Sequence, residues 1–214
     1  MTQIPTSKFY AYLSRLRWIK RWGLMRNAES ENVVEHSWDV ATIAHALALI
    51  GNHYYAGQFD ANAIATAALY HDAGEVITGD LPTPIKYHSK NLTRAYQHIE
   101  ALANQELLAL LPDKLRPAYQ QVFLLEQQPE NHRRIIKAAD TLAAYLKCRI
   151  EVRAGNLEFK QAALQNRQKL ESYRMREVDF FMRVFMPDCE LPLDGLLLDS
   201  ARANRPMEAF QERG

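Results

Sequence analysis

The sequence predicts a single all-α domain, a helical bundle with a polar site between its core helices. Three observations carry this. Apolar residues recur at three- and four-residue spacing along nearly the whole chain. No stretch shows the two-residue alternation of a strand, and no repeat or interior linker divides the 214 residues, a length that suits one full core. Histidine and aspartate interrupt the apolar stripe in three separate segments, where unpaired polar groups are costly.

Residues 6–20 carry Phe9, Leu13, Leu16 and Trp18 and read as a first helix, with Thr6 or Ser7 as its N-cap. Gly23 breaks the next stretch, Lys20 to Asn27, into a loop bearing Arg21, Arg26 and Trp22. This reads first as a basic surface turn with Trp22 as a lid on the core, though arginine and tryptophan are also the residue types that clamp phosphates and cover rings. Residues 33–53 form a long helix with His36, Val40, Ile43, Leu47 and Ile50 on one face. After the Gly57 loop, an alanine-rich helix from Ala61 runs into Tyr70-His71-Asp72-Ala73-Gly74-Glu75. Ile64, Ala68, His71 and Glu75 share a helical face provided the helix survives Gly74.

Gly79, Pro82 and Pro84 make a stiff loop holding Asp80. Residues 87–111 are amphipathic through Ile99, Leu102, Leu107 and Leu110, and 113–127 form a further segment. In 131–154, Ile136, Asp140, Ala143, Lys147 and Ile150 share a face, so Asp140 should meet a cation or several donors. Gly155-Asn156 ends that helix, a long helix covers 157–185, and Pro187 stops it. The aromatic-rich part, 173–185, reads as core or as a piece of an interface. The bundle is expected within residues 1–200, with 201–214 as a polar, mobile tail. His45, His53, His88, His98 and His132 have no partners in the pattern and read as structural or surface residues.

A net charge of +1 with no basic stripe argues against a nucleic-acid partner. No apolar run is long enough for a membrane span, and Met1 to Pro5 lacks a secretory pattern. Cys148 and Cys189 lack CxxC spacing and read as idle thiols in a reducing cytoplasm.

His36, His71, Asp72 and Asp140 together offer two imidazoles and two carboxylates from three helices. Such a mixed set suits Mn²⁺, Fe²⁺, Co²⁺ or Zn²⁺ better than Ca²⁺. With this order of residues, the chain resembles the HD-domain metal-dependent phosphohydrolases, and within them the bacterial 5′-deoxynucleotidases. The similarity runs from about residue 7 to 195. It rests on Arg21-Trp22-Gly23-Leu24-Met25-Arg26-Asn27, Glu31 to Ser37, Tyr70 to Glu75, Thr78-Gly79-Asp80-Leu81-Pro82-Thr83-Pro84, and Lys137 to Asp140 with Ala144 to Cys148.

The resemblance implies His36, His71, Asp72 and Asp140 as ligands of a divalent transition metal such as Co²⁺, Mn²⁺ or Zn²⁺. It implies Glu75 and Asp80 as catalytic carboxylates. Substrate contacts are implied for Arg21, Trp22, His36 and Asp80, with Arg21 on the phosphate and Trp22 disfavouring a 2′-hydroxyl. The implied substrate is a deoxyribonucleoside 5′-monophosphate, the implied assembly a homodimer. Three rivals stay open at this point. They are an HD enzyme acting on deoxynucleoside triphosphates or cyclic nucleotides, a non-catalytic metal- or nucleotide-binding module, and a helical nucleic-acid binder. Intact Glu75 and Asp80 weigh against the second, and the charge balance weighs against the third.

Overall fold

The computed structural model describes residues 6–198, and the tail from 201 lies outside them. Eleven α-helices and four short 3₁₀ turns account for the regular structure there, with one isolated antiparallel bridge between Lys20 and Asn32. The central element is α2, Val33–Tyr54, which packs against α3, Ala61–Leu69, and α8, Glu130–Arg153. Its start is sharply defined. The Asn32 side chain accepts from the Val34 and Glu35 N–H groups, and Glu35 reaches back to the Asn32 N–H, a full capping box. The predicted stripe is buried as expected: His36, Val40 and Leu47 at 0%, with Ile43 and Ile50 close behind.

Alanine dominates where these helices meet. Ala44, Ala48, Ala67, Ala68, Ala138, Ala139 and Ala143 are buried in one cluster with Ile64, Ile136 and Leu142. Small side chains let the axes approach closely, which draws polar residues on the three helices into one place. A second, smaller cluster joins Phe9, Leu107, Leu108, Leu111 and Phe123.

Several boundaries differ from the sequence reading. Residues 6–20 do not form one helix. A short α1, Phe9–Leu13, tightens into a 3₁₀ turn at Ser14–Trp18. Lys8 occupies the N-cap position, though Ser7 Oγ does accept from the Phe9 N–H. Trp18 stays 64% exposed with the Arg15 guanidinium over its ring. Helix α3 stops at Leu69 and does not continue to Glu75. From Tyr70 to Val76 the backbone closes i→i+3 bonds, and α4, Glu75–Thr78, begins afresh. Gly74 sits against the segment that carries Asn104, where an added Cβ would lie 2.7 Å from Asn104 Oδ1.

Thr83 and Pro84, read as loop, instead open the one-turn helix α5, Thr83–Lys86, because proline is tolerated in a first turn. Helix α6 spans Lys90–Ala109 and α7 spans Arg116–Phe123. Ile99 and Leu102 are exposed, and Tyr96, Ala103 and Leu107 form the buried stripe. The long helix over 157–185 is two helices, α9, Lys160–Ser172, and α10, Arg176–Val184. Arg174 separates them in the left-handed region at φ 50°. Val178, Phe180 and Phe181 of α10 pack into the main core, and α11, Leu193–Leu198, closes the described chain. His132 is half-buried, not surface. Cys148 is buried and Cys189 exposed, both as free thiols.

Candidate active site

Each of the three core helices brings its polar residue to one end of the contact between them. His36 lies one turn into α2, fully buried. His71 and Asp72 occupy the tight turn after α3, and Asp140 lies midway along α8. Ligand atoms of His36, His71 and Asp72 all fall within 4.8 Å of one another. Asp140 joins through His36 Nε2, which stands 3.1 Å from Asp140 Oδ1 and 3.7 Å from Asp72 Oδ2. The Asp140 side chain is 40% exposed and forms the open side of the group.

The break after Leu69 has a chemical consequence. His71 Nδ1–H donates to the Ala68 carbonyl at 2.7 Å, which fixes the ring and leaves Nε2 facing Asp72. That Nε2 is buried without a hydrogen-bond partner, and Asp72 Oδ2 stands 3.1 Å from it. A histidine whose other nitrogen is tied to a backbone carbonyl is the usual arrangement of a metal ligand. The donor set therefore fits a divalent transition ion, with two imidazoles and two carboxylates available.

The electrostatics say the same. Burial alone would lower the pKa of His71, but the Asp72 carboxylate outweighs it and pushes His71 up to about 9. Burial would raise Asp72, yet His71, His36 and Arg21 hold it well below the usual carboxylate range. Asp140 resists burial in the same way and sits at about 2, held there by His36. The group attracts positive charge, and a proton on His71 and a divalent ion are alternative ways to supply it.

Around this group stand the other predicted residues. Glu75 opens α4, is 7% exposed, and has Oε2 buried without a partner. Burial, then the charges of Asp72 and Asp80, push its carboxyl up to about 10. Asp80 follows Gly79, whose φ of 71° turns the chain after α4. Burial raises Asp80 as well, against the pull of Arg21 and the Trp22 backbone N–H. Arg21 is 12% exposed along its side chain, and its Nη1 reaches Asp72 Oδ2 at 3.4 Å. Burial works against its charge, but Asp72 and Glu31 keep it firmly cationic. Trp22 rests on Phe159, ring centroids 5.3 Å apart.

The structure thus brings all eight predicted residues into one neighbourhood. It also shows supports that the sequence reading left without a role. Glu31 accepts from both Arg21 Nε and Trp22 Nε1. Glu151 on α8 accepts from the Ala28 and Glu29 N–H groups. The clue available for them was composition alone: a buried arginine and an indole N–H both need an acceptor.

A helical bundle that gathers His, His-Asp and Asp from three elements has the architecture of the HD-domain phosphohydrolases. An HD-domain phosphohydrolase from Listeria innocua superposes with a TM-score of 0.76 at 21% identity, covering 91% of this chain and 94% of its own. A cyanophage S-2L HD phosphohydrolase, solved bound to dA and one catalytic Zn²⁺ ion, superposes at 0.60 with 20% identity over 87% and 99%. At these identities the likeness speaks for the fold. Residues 8–189 match the family described as 5′-deoxynucleotidase YfbR-like, and the chain belongs to it. A 5′-deoxynucleotidase of Photorhabdus temperata is 49% identical over 193 residues, 90% of this chain and 98% of that protein. One from Klebsiella pneumoniae is 48% identical over 194 residues, 91% and 98%.

Proposed function

We propose that the chain hydrolyses deoxyribonucleoside 5′-monophosphates to deoxynucleoside and phosphate, using a divalent transition metal and discriminating against ribonucleotides. As a member of its family the chain is a 5′-deoxynucleotidase, a phosphomonoester hydrolase. The observation that carries the reading is Arg21, a nearly buried, permanently charged guanidinium, at the edge of a cluster where His71 Nε2 is buried without a hydrogen-bond partner.

In this reading His36, His71, Asp72 and Asp140 hold the metal, with Co²⁺, Mn²⁺ and Zn²⁺ the ions that suit the set. When bound, the ion supplies Lewis acidity, polarising the phosphoryl group and acidifying water toward a pKa of about 7. Arg21 holds the substrate phosphate beside the centre. Glu75 orients the attacking water and takes up its proton. Its orphaned Oε2 is free to accept from that water. Asp80, on its loop, protonates the departing O5′. Trp22 fills the space a 2′-hydroxyl would need, which rejects ribose by clash.

We also take residues 1–200 as one domain and a second copy of the chain as partner in a homodimer, and we place the reaction in the cytoplasm, where the two free thiols persist. Among the described residues no helix is long and apolar enough to cross a membrane.

Phosphate release from dAMP, AMP, dATP and a cyclic nucleotide, with Co²⁺, Mn²⁺ or Zn²⁺ and an EDTA control, tests the reading. Metal-dependent release from dAMP well above AMP is expected. Faster release from dATP or the cyclic nucleotide would overturn it, and no metal-dependent release from any of them would point to a binding module.

A further inference from the structure

We infer that Glu31 is the positioning residue that sets the deoxyribose preference, because one of its carboxylate oxygens holds both Arg21 and Trp22. The inference rests on the roles proposed above for those two residues.

The two side chains diverge from adjacent positions, yet both return to the same atom. Arg21 Nε donates to Glu31 Oε2 at 3.0 Å, and Trp22 Nε1 donates to that oxygen at 2.8 Å. Glu31 is 8% exposed, so both bonds are charge-assisted and shielded from water. The backbone repeats the link. Arg21 N–H donates to the Glu31 carbonyl at 3.0 Å, beside the Lys20–Asn32 bridge. With Nε held by Glu31, the Arg21 fork is aimed with Nη1 at Asp72.

Trp22 shows why such a hold is needed. Its φ of 60° lies in the left-handed region, an unfavourable place for a bulky aromatic residue. Such a conformation persists only where neighbours over-determine it. Met25 N–H and Asn27 Nδ2 both donate to the Trp22 carbonyl, and Phe159 backs the ring. Among the described residues, Glu31 accepts the one N–H that the ring can donate. It also directly precedes Asn32, the N-cap of α2, and His36 lies one turn into that helix. The segment that fixes a predicted metal ligand therefore also fixes the phosphate contact and the sugar cover. For a ribose to enter, the Trp22 ring must move, and the bond to Glu31 opposes that movement.

The test compares Glu31→Ala and Glu31→Gln with Trp22→Ala and Arg21→Ala on dAMP and AMP. Glu31→Ala is expected to lower the dAMP:AMP ratio of kcat/KM by about tenfold, the scale on which pocket shape discriminates. It should raise KM for dAMP by more than it lowers kcat. Calorimetric Zn²⁺ affinity should fall by less than the roughly 10–100-fold seen when a residue bonded directly to a ligand is lost, since Glu31 reaches Asp72 only through Arg21. Glu31→Gln keeps an acceptor of the same reach and should recover much of the ratio. The chain has three tryptophans. In a Trp18→Phe, Trp38→Phe background Trp22 is therefore the only tryptophan to report when the indole is excited selectively. There, Glu31→Ala should shift emission to the red and lower its anisotropy. An unchanged ratio and unchanged emission, with Trp22→Ala still altering the ratio, would overturn the inference and leave the proposed function standing. If neither Trp22→Ala nor Arg21→Ala changes selectivity or KM, the proposed function itself fails. Should Glu31→Ala not fold, Glu31→Gln decides by the same readouts, with a smaller loss of ratio and a smaller spectral shift expected.

Discussion

Glu151 lies on α8 beneath residues 26–29, and Glu75 opens α4 beside His71 and Asp72. Both are withdrawn from water, at 0% and 7% exposure. Glu151 has every lone pair engaged. It accepts from Ala28 and Glu29 N–H groups, from Asn156 Nδ2 at 2.7 Å, and from Lys147 Nζ. Burial would raise its pKa, but Lys147 and these donors hold it down at about 2. Glu75 keeps one oxygen without a partner and faces two other carboxylates, and it is pushed up to about 10. The same side chain at similar burial is thus a fastener in one place and a reserve of proton affinity in the other. The difference is the number of donors supplied, and unsatisfied buried groups are kept where chemistry needs them.

Glu75→Gln should strain this contrast most. It preserves size and removes the base, so kcat on dAMP should fall about 10²–10⁴-fold with Zn²⁺ affinity retained. A loss under about threefold would move Glu75 out of the reaction. Glu151→Ala should act on stability instead. It removes the carboxylate partner of Lys147 and the acceptor of two backbone N–H groups, at a cost of about 3–5 kcal/mol in urea unfolding. Its pH signature follows from the sign of the shift. Glu151 ionises more easily folded than unfolded, where 4.5 is the ordinary value. Its contribution is therefore full above pH ~4.5 and lost as pH falls toward ~2. Wild type and Glu151→Gln should converge in stability across that window, and parallel curves would contradict the assignment.

Asp80→Asn gives a smaller effect. Loss of about 10–100-fold is expected on dAMP and little on an aryl phosphate with a good leaving group. Equal losses on both substrates would remove Asp80 from leaving-group protonation. The smallest effect returns to Glu75. Its folded pKa is raised, so the metal-free chain loses stability as pH climbs from ~4.5 toward ~10. In EDTA at pH 8, Glu75→Gln should therefore raise Tm, by ~2–4 °C for each ~1 kcal/mol gained. A lower Tm would mean that the native carboxylate is satisfied after all.

Local pattern is what made much of this molecule readable. His36 and Asp140 stand out because they sit on stripes of three- and four-residue period, and burial there demands a partner. His71-Asp72 stands out beside an alanine-rich helix in the same way. The α2 and α8 helices lie close to their predicted bounds because each has a strong period and a definite stop. The breaks in the other helices were not readable. Gly74 marked a possible stop, but α3 ends earlier, at Leu69, where His71 Nδ1 takes the Ala68 carbonyl and the turn that follows sets Gly74 against Asn104. The split at Arg174 likewise serves the packing of α10 into the main core.

By itself, then, the sequence determined the helical class and the four polar residues set against apolar stripes, which composition and period mark, while the Arg21–Trp22 pair was marked by the family resemblance. Tertiary structure alone decided which acceptors hold that pair. Glu151 meets Ala28 and Glu29 across more than a hundred residues, and Glu31 reaches Arg21 and Trp22 across a non-helical loop. Such contacts have no period to betray them, because they are set by how closely α2, α3 and α8 pack and by where each buried donor can find an oxygen.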